Sequence, residues 1–306
     1  MTGGRVLAAH ALAILSTGLM LVAALGGAGL FGLFFAALAA LAVMGSLLVT
    51  GLVSAGAYLI GGEGGADVKL PPEWVVLAPV ALNSLCFASL VFGGFSHMLL
   101  FAASFPLLFL TVKPKFPPAS MSTGVVAGFA AFVLVLLLSY LMDLAGAAEV
   151  PPAALVGFAP TELPLMQFYG WYMLLVVAVA EEMWRAATYY TLIPPLGARL
   201  ASALATFWFV WMHLPGRILY GPLAALILLL IGAGTLVMWY LCKGDYWGMV
   251  VAHAVYNTAI AGVSEGLLLV ELAVLGAFLA ALWVERRRPK IEIAAVLPVA
   301  RGGGGG

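Results

Sequence analysis

Long apolar stretches alternate with short clusters of polar residues, proline and glycine, and in the second half of the chain this punctuation is regular. Apolar segments at about 119–146, 166–192, 197–214, 217–242, 246–263 and 266–284 are divided by breaks such as Pro194-Pro195 and Lys243-Gly244-Asp245. Because about 20 apolar residues cross a bilayer core, this half predicts six membrane helices. The first run, Val6 to about Leu25, has the apolarity of a secretory leader, but it continues into a further apolar stretch without a clear polar cleavage region. It reads as a retained helix. The runs 28–60 and 74–112 are too long for one crossing each and barely long enough for two short ones, with Gly45 and Gly93-Gly94 as candidate breaks. The expected fold class is therefore all-α, a polytopic transmembrane bundle of about eight to ten helices.

Composition supports that reading. Of 306 residues, 64% are hydrophobic and 8% charged, against roughly 25% charged in a soluble domain. Thirteen basic and thirteen acidic residues cancel, which leaves no basic face for nucleic acid; the expected setting is the lipid bilayer, as a multi-pass protein of the cell membrane. The basic clusters Lys113/Lys115 and Arg286-Arg287-Arg288/Lys290 are six crossings apart, so both are expected in the cytoplasm. Glu149, Glu162 and the turn at Glu265 then fall outside, and Arg217 is the one dissenting charge. Cys86 and Cys242 lie in apolar runs and read as small buried hydrophobes. No soluble domain or internal repeat is visible. The expected division is 1–118, membrane helices without an assigned role; 119–285, the core holding the buried charges; and 286–306, a basic tail whose terminal Gly302–Gly306 is expected to be disordered.

Ionisable groups inside a membrane span cost about 2.5–3.5 kcal/mol each on insertion scales and usually face the bundle interior. The densest group is Glu181-Glu182-Met183-Trp184-Arg185. On a helix Arg185 is i,i+4 from Glu181 and i,i+3 from Glu182, so one guanidinium can pair with either carboxylate while the other stays available as a general base. The i,i+4 pair favours Glu181 as the partner of Arg185 and Glu182 as the base. A bland alternative is a buried ion pair that fixes helix register, but such a pair needs one acid and two are present. His253 lies mid-run with Asn257 one turn later on the same face, at a depth similar to Glu181. His213 falls near the end of its run, so either its helix starts late or His213-Leu214-Pro215-Gly216 dips into the membrane beside a cavity. A shared site requires the carboxylates and both imidazoles within about 8 Å, one bridging water included. His10 and His97 lack polar neighbours at helical spacing and read as packing residues.

Glu181-Glu182 followed by an arginine, Phe209-x-x-x-His213 with Leu214-Pro215 behind it, and Gly244-x-x-Trp247 leading to His253-x-x-x-Asn257 together resemble the three motifs of the CPBP (Abi, or type II CAAX prenyl endopeptidase and bacteriocin-processing) membrane proteases. The resemblance covers about residues 165–265, within the 119–285 core. Its arginine stands one residue closer than the usual Glu-Glu-x-x-x-Arg, a spacing similar to the Glu-Glu-x-x-Lys of PrsW-like proteases. The resemblance implies a glutamic intramembrane protease without a cofactor. Glu181 or Glu182, helped by His213, would deprotonate a water; His253 and Asn257 would stabilise the oxyanion; Arg185 would orient the glutamates. The family's usual first-glutamate base speaks for Glu181, against the pairing preference.

Rival readings use the same residues. Glu181, Glu182, His213 and His253 are acceptable zinc ligands. The cluster could be an ion relay in a transporter, although no paired inverted repeats are visible. It could also belong to a catalytically silent scaffold or binding protein. As substrate or partner, prenylated CAAX proteins, bacteriocin-like peptides and other membrane-anchored chains all fit.

Overall fold

Apolar runs bounded by Pro and Gly fold as helices throughout the described part of the chain. The computed structural model describes residues 3–26, 29–61, 72–91, 118–147, 149–151, 154–155 and 163–265, with positions 276, 279–280 and 283–284. Its elements are α1 (Gly3–Leu25), α2 (Gly29–Ile60), α3 (Pro72–Val91), α4 (Pro118–Leu144), α5 (Leu163–Trp211), α6 (Leu214–Arg217), a 3-10 turn (Ile218–Tyr220), α7 (Leu223–Cys242) and α8 (Tyr246–Glu265). Five of these helices are long and apolar enough to cross a membrane. Leu19, Leu30, Phe31, Leu48 and Leu59 stand well exposed on them. An apolar surface of that extent belongs in lipid rather than water, and the chain is a multi-pass integral membrane protein.

The run 28–60 does not split. Gly29–Ile60 form one helix of 32 residues, and Gly45 is a contact with Ala225 of α7 rather than a break. At 1.5 Å per residue the helix is about 48 Å long, so it must tilt or reach beyond a core of about 30 Å. The residues beyond Val91 in the run 74–112 lie outside the described residues, as do His97, Lys113, Lys115, Glu162, most of the run 266–284 and the basic tail.

Elsewhere the breaks have local causes. The runs 166–192 and 197–214 are the two arms of α5, which bends at Gly197 (φ 75°, ψ 162°) just after Pro194-Pro195. Proline removes a helical N–H, and a positive φ of that kind is tolerated by glycine alone without strain. The expected helix 217–242 starts only at Leu223, because α6 and the 3-10 turn occupy the preceding residues. Lys243 and Gly244 both have positive φ and end α7, and Asp245 then accepts the backbone N–H of Gly248 at 2.7 Å, capping α8.

Packing is tightest where side chains are smallest. A Cβ on Gly124 would overlap the Gly248 carbonyl and Val251, and one on Gly128 would meet the Ala252 carbonyl and Val255, so α4 and α8 approach backbone to backbone. On the opposite side α2 packs against α5 and α7, with Gly232 of α7 receiving Val53. The second arm of α5 is tied to α1 by two indole donors, Trp208 to His10 at 2.8 Å and Trp211 to Thr17 at 3.0 Å. His10 is thus a fully buried packing residue, and Cys86 and Cys242 are buried free thiols.

The α4–α8 contact predicts the effect of a single substitution. Gly128→Val should destabilise the protein by about 1–3 kcal/mol or more through overpacking, read as a lower melting temperature in detergent. An unchanged melting temperature would contradict the close approach.

Candidate active site

The pairing around Arg185 differs from the i,i+4 expectation. Arg185 donates from Nε to Glu182 Oε2 at 2.8 Å and from Nη2 to the same oxygen, so its partner is Glu182, not Glu181. Helix geometry alone leaves the choice open, because residue 185 lies about 40° around the axis from 181 and about 60° the other way from 182. The neighbours decide. The guanidinium lies over the rings of Trp239 (4.7 Å) and Phe209 (5.3 Å), which hold it on the Glu182 side by cation–π attraction. Glu182 Oε1 meets His253 Nδ1 at 3.0 Å, and the carboxylate accepts the imidazole N–H. Both oxygens of Glu182 are therefore engaged, and its side chain is 1% exposed.

Glu181 has the other outlook. Its Oε2 stands 3.6 Å from His213 Nε2 and 3.7 Å from His253 Nε2, and its side chain keeps 13% exposure. That exposure opens onto a cavity of about 130 Å³ lined by Glu181, His213, His253, Asn257, Arg217 and Tyr256, among others. Such a space holds several waters. The structure thus brings Glu181, Glu182, Arg185, His213, His253 and Asn257 to one place, with Glu182 and Arg185 behind Glu181. Asn257, 4% exposed, follows His253 by one turn on the same cavity wall.

His213 reaches the cavity because its helix stops short. α5 ends at Trp211, and Met212, His213, Gly216 and Arg217 then line the wall, so the irregular segment sits beside a cavity as backbone at membrane depth must. The His213 Nδ1 is 2.7 Å from the Phe209 carbonyl, which can only accept, so Nδ1 carries the proton. In the neutral ring, Nε2 then presents a lone pair toward Glu181.

Several participants carried no assigned role in the sequence reading. Phe209 was visible only as part of a motif, yet its ring packs against His213 (5.0 Å between centroids), His253 (5.7 Å) and Trp184 (6.2 Å). Its i,i+4 relation to His213 was the available signal. Trp239 had none, since it reaches Arg185 only through the packing of α7 on α5. Arg217 stood out as a topological dissenter and Tyr256 not at all, although they follow His213 and His253 by four and three residues.

With this geometry in view, known proteins can be compared. Residues 164–259 match the family model of the Rce1-like type II CAAX prenyl endopeptidases. Residues 164–259 are similar to an Rce1-like domain. The match covers about a third of the chain, and within it lie both glutamates, both histidines, Arg185 and Asn257, in agreement with the CPBP resemblance. No curated protein and no solved structure matches the chain. The match supports a CAAX-protease-like endopeptidase reading for this segment.

Among the described residues no three His, Cys, Asp or Glu side chains are grouped to hold a metal ion.

Removing Arg185 strands a buried carboxylate. Arg185→Met should lower stability by about 3–5 kcal/mol, measured by thermal or denaturant unfolding in detergent. Glu181→Gln, which leaves the Glu182–Arg185 pair intact, should leave the same unfolding transition nearly unmoved.

Proposed function

We propose that this protein is an intramembrane endopeptidase that hydrolyses a peptide bond of a membrane-anchored protein or peptide, using Glu181 as general base and no metal. The observation that carries the reading is the division of labour between adjacent carboxylates. Glu182 is consumed by Arg185 and His253, whereas Glu181 opens onto the cavity between two imidazoles. A water placed there can donate one proton to Glu181 Oε2 and the other to His213 Nε2, two acceptors 3.6 Å apart. Glu181 takes a proton as the water attacks the scissile carbonyl. His213, whose Nδ1–H is anchored on the Phe209 carbonyl, holds the water's second hydrogen and fixes its lone pair toward the substrate.

The carbonyl oxygen becomes negative as attack proceeds and needs donors. Asn257 supplies a neutral amide donor from the same wall. His253 gives its Nδ1–H to Glu182, so it donates to the oxyanion from Nε2 only as the imidazolium. Glu181, now protonated, delivers the proton to the leaving amine, and the cycle closes with the carboxylate restored. Arg185 never touches the reaction; it holds Glu182, and through it the ring of His253.

Prenylated CAAX-type chains are the substrate class that the Rce1-like match favours, and farnesylated peptides are the first substrates to try. With such a peptide, Glu181→Gln should lose cleavage by at least about 100-fold while retaining the wild-type melting temperature. Glu182→Gln should lose activity together with stability. Metal chelators should leave the wild-type rate unchanged; inhibition reversed by added zinc would replace the mechanism with a zinc one. If Glu181→Gln and Glu182→Gln both cleaved a verified substrate normally, the peptidase reading would fail. The buried cluster would then serve ion transport or a silent scaffold.

A further inference from the structure

Pairwise contacts fix which helix ends lie together. A Cβ on Gly3 would meet the Pro195 carbonyl, while His10 accepts from Trp208 and Thr17 from Trp211, so α1 runs parallel to the second arm of α5. α2 and α7 are parallel as well, with Gly45 against Ala225, Val53 against Gly232 and the Trp239 indole on the Gly61 carbonyl. α4 and α8 share a direction through Gly124 at Gly248 and Gly128 at Ala252. Ser202, just after the bend of α5, donates to the Ala57 carbonyl near the end of α2. α3 starts at that same end, since its Asn83 lies at Thr188 and its Phe87, one turn on, stacks on Trp211. One end of the bundle therefore holds the starts of α1, α3, α4 and α8, the α5 bend and the ends of α2 and α7. The other holds the end of α4, the start of α5 and residues 213–223.

Charge divides these two ends. Among the described residues the exposed bases are Arg5, Arg199 and Lys243, all at the first end. The opposite end exposes Asp143 and Glu149 and no base, since Arg217 is buried. Glu73 and Asp245 also lie at the first end, but the rule that orients membrane proteins counts Lys and Arg rather than net charge. By that rule the first end is the cytoplasmic one.

The cavity has a direction of its own. Between Glu181 and the basic end the bundle is closed: Arg185, Tyr189 and Leu192 on α5 and Trp239 on α7 are each 1% exposed or less. Arg185 lies over the Trp239 ring, and Tyr189 meets the same ring edge-on at 5.0 Å. Toward the opposite end the wall is made by Leu90 in the last turn of α3, Leu155, Gly216 and Arg217. Gly216 is exposed, and an added Cβ there would meet nothing within 4 Å. Water and substrate therefore reach Glu181 from the end that exposes acids.

We propose that the catalytic cavity opens on the extracytoplasmic side of the membrane, and that its substrates are membrane-anchored chains whose cleavable segment lies on that side. The proposal rests on the peptidase reading above and names the substrate class: exported chains tethered in the bilayer, not chains anchored from the cytoplasmic leaflet. A chain of the latter kind would meet the closed layer of Arg185 and Trp239. In detergent both ends are open to solvent, so a farnesylated peptide probes the chemistry there without reporting the side.

Two measurements on the full-length protein test the side. In the first, Glu149→Cys, Arg199→Cys and Gly216→Cys are treated in intact cells with a membrane-impermeant maleimide, before and after permeabilisation. The native thiols Cys86 and Cys242 are buried, and the wild-type protein supplies the blank. Glu149→Cys and Gly216→Cys should label in intact cells, and Arg199→Cys at least tenfold more after permeabilisation. In the second, sealed right-side-out and inside-out vesicles from cells making the protein receive a farnesylated peptide bearing a sulfonated fluorophore that cannot cross the bilayer. Right-side-out vesicles should cleave it at least tenfold faster, inside-out vesicles should recover that rate in detergent, and Glu181→Gln should cleave in neither. Faster cleavage by inside-out vesicles, equal rates from both sealed preparations, or Gly216→Cys labelled only after permeabilisation would overturn the outward cavity; cleavage in detergent would leave the peptidase reading standing. Labelling of Gly216→Cys in intact cells with no cleavage even in detergent would sink the peptidase reading and keep the outward cavity. Labelling only after permeabilisation together with no cleavage would overturn both.

Discussion

The site depends on one buried carboxylate that serves two hydrogen-bond donors at once. Glu182 holds Arg185 through one oxygen and the imidazole of His253 through the other, and so joins the first arm of α5 to α8 across the bundle. In a medium where isolated ions are costly, this arrangement lets three ionisable groups share one desolvated place, because each hydrogen bond is charge-assisted and the aromatic faces of Trp239 and Phe209 cover the guanidinium. Its consequence is that the neighbouring carboxylate need not pair with the arginine. Glu181 is left facing the cavity between His213 and His253, and the proposed chemistry follows from that release.

Bringing α8 close enough for the Glu182–His253 hydrogen bond is the work of small residues. Gly124 and Gly128 let α4 lie directly against the backbone of α8 at Gly248 and Ala252, one residue before His253. Lipid gives two apolar helices little reason to leave it for each other, so close van der Waals contact of this kind is what fixes their separation. Asp245 sets where α8 begins, and with it the turn on which His253 and Asn257 face inward. On the far side, the indoles of Trp208 and Trp211 bind α1 to the arm of α5 that carries Phe209 and His213. The amino-terminal helix thereby braces a cavity wall to whose lining it contributes no residue.

Membrane residence, helical class and the breaks at Pro194-Pro195 and Lys243-Gly244-Asp245 were legible in the sequence, because length and punctuation are local properties that a bilayer enforces strictly. The cluster of Glu181, Glu182, Arg185, His213, His253 and Asn257 was legible for the related reason that polar groups are rare at membrane depth and mark themselves. What was not legible depended on tertiary neighbours. Gly45 looked like a break and is a contact, since glycine in a membrane helix means close approach as often as interruption. The aromatic roof of Phe209 and Trp239 was hidden among many aromatics of equal apparent standing. Arg217 conflicted with the charge rule for loops because it is not a loop residue at all; it is buried on the cavity wall.

The shortened spacing between Glu182 and Arg185 is accommodated by the same tertiary logic. Residues three and four apart on a helix both lie on its near face, about 60° to one side and about 40° to the other, so an arginine at either spacing can reach a given carboxylate if its long stem bends the right way. In the longer spacing usual for CPBP proteases, the second glutamate and the arginine are i,i+4; here they are i,i+3, and Arg185 still closes on Glu182. Intrahelical preference alone would have sent it to Glu181, at a gain of about 0.2–0.5 kcal/mol for an isolated helix. Cation–π contacts in a desolvated setting are worth about 2 kcal/mol or more, and the hydrogen bond from His253 to Glu182 adds to them. The tertiary terms exceed the local one several-fold. A motif written as residue spacing is therefore a loose record of this site, while the walls contributed by α7, α8 and the second arm of α5 determine which glutamate the arginine takes.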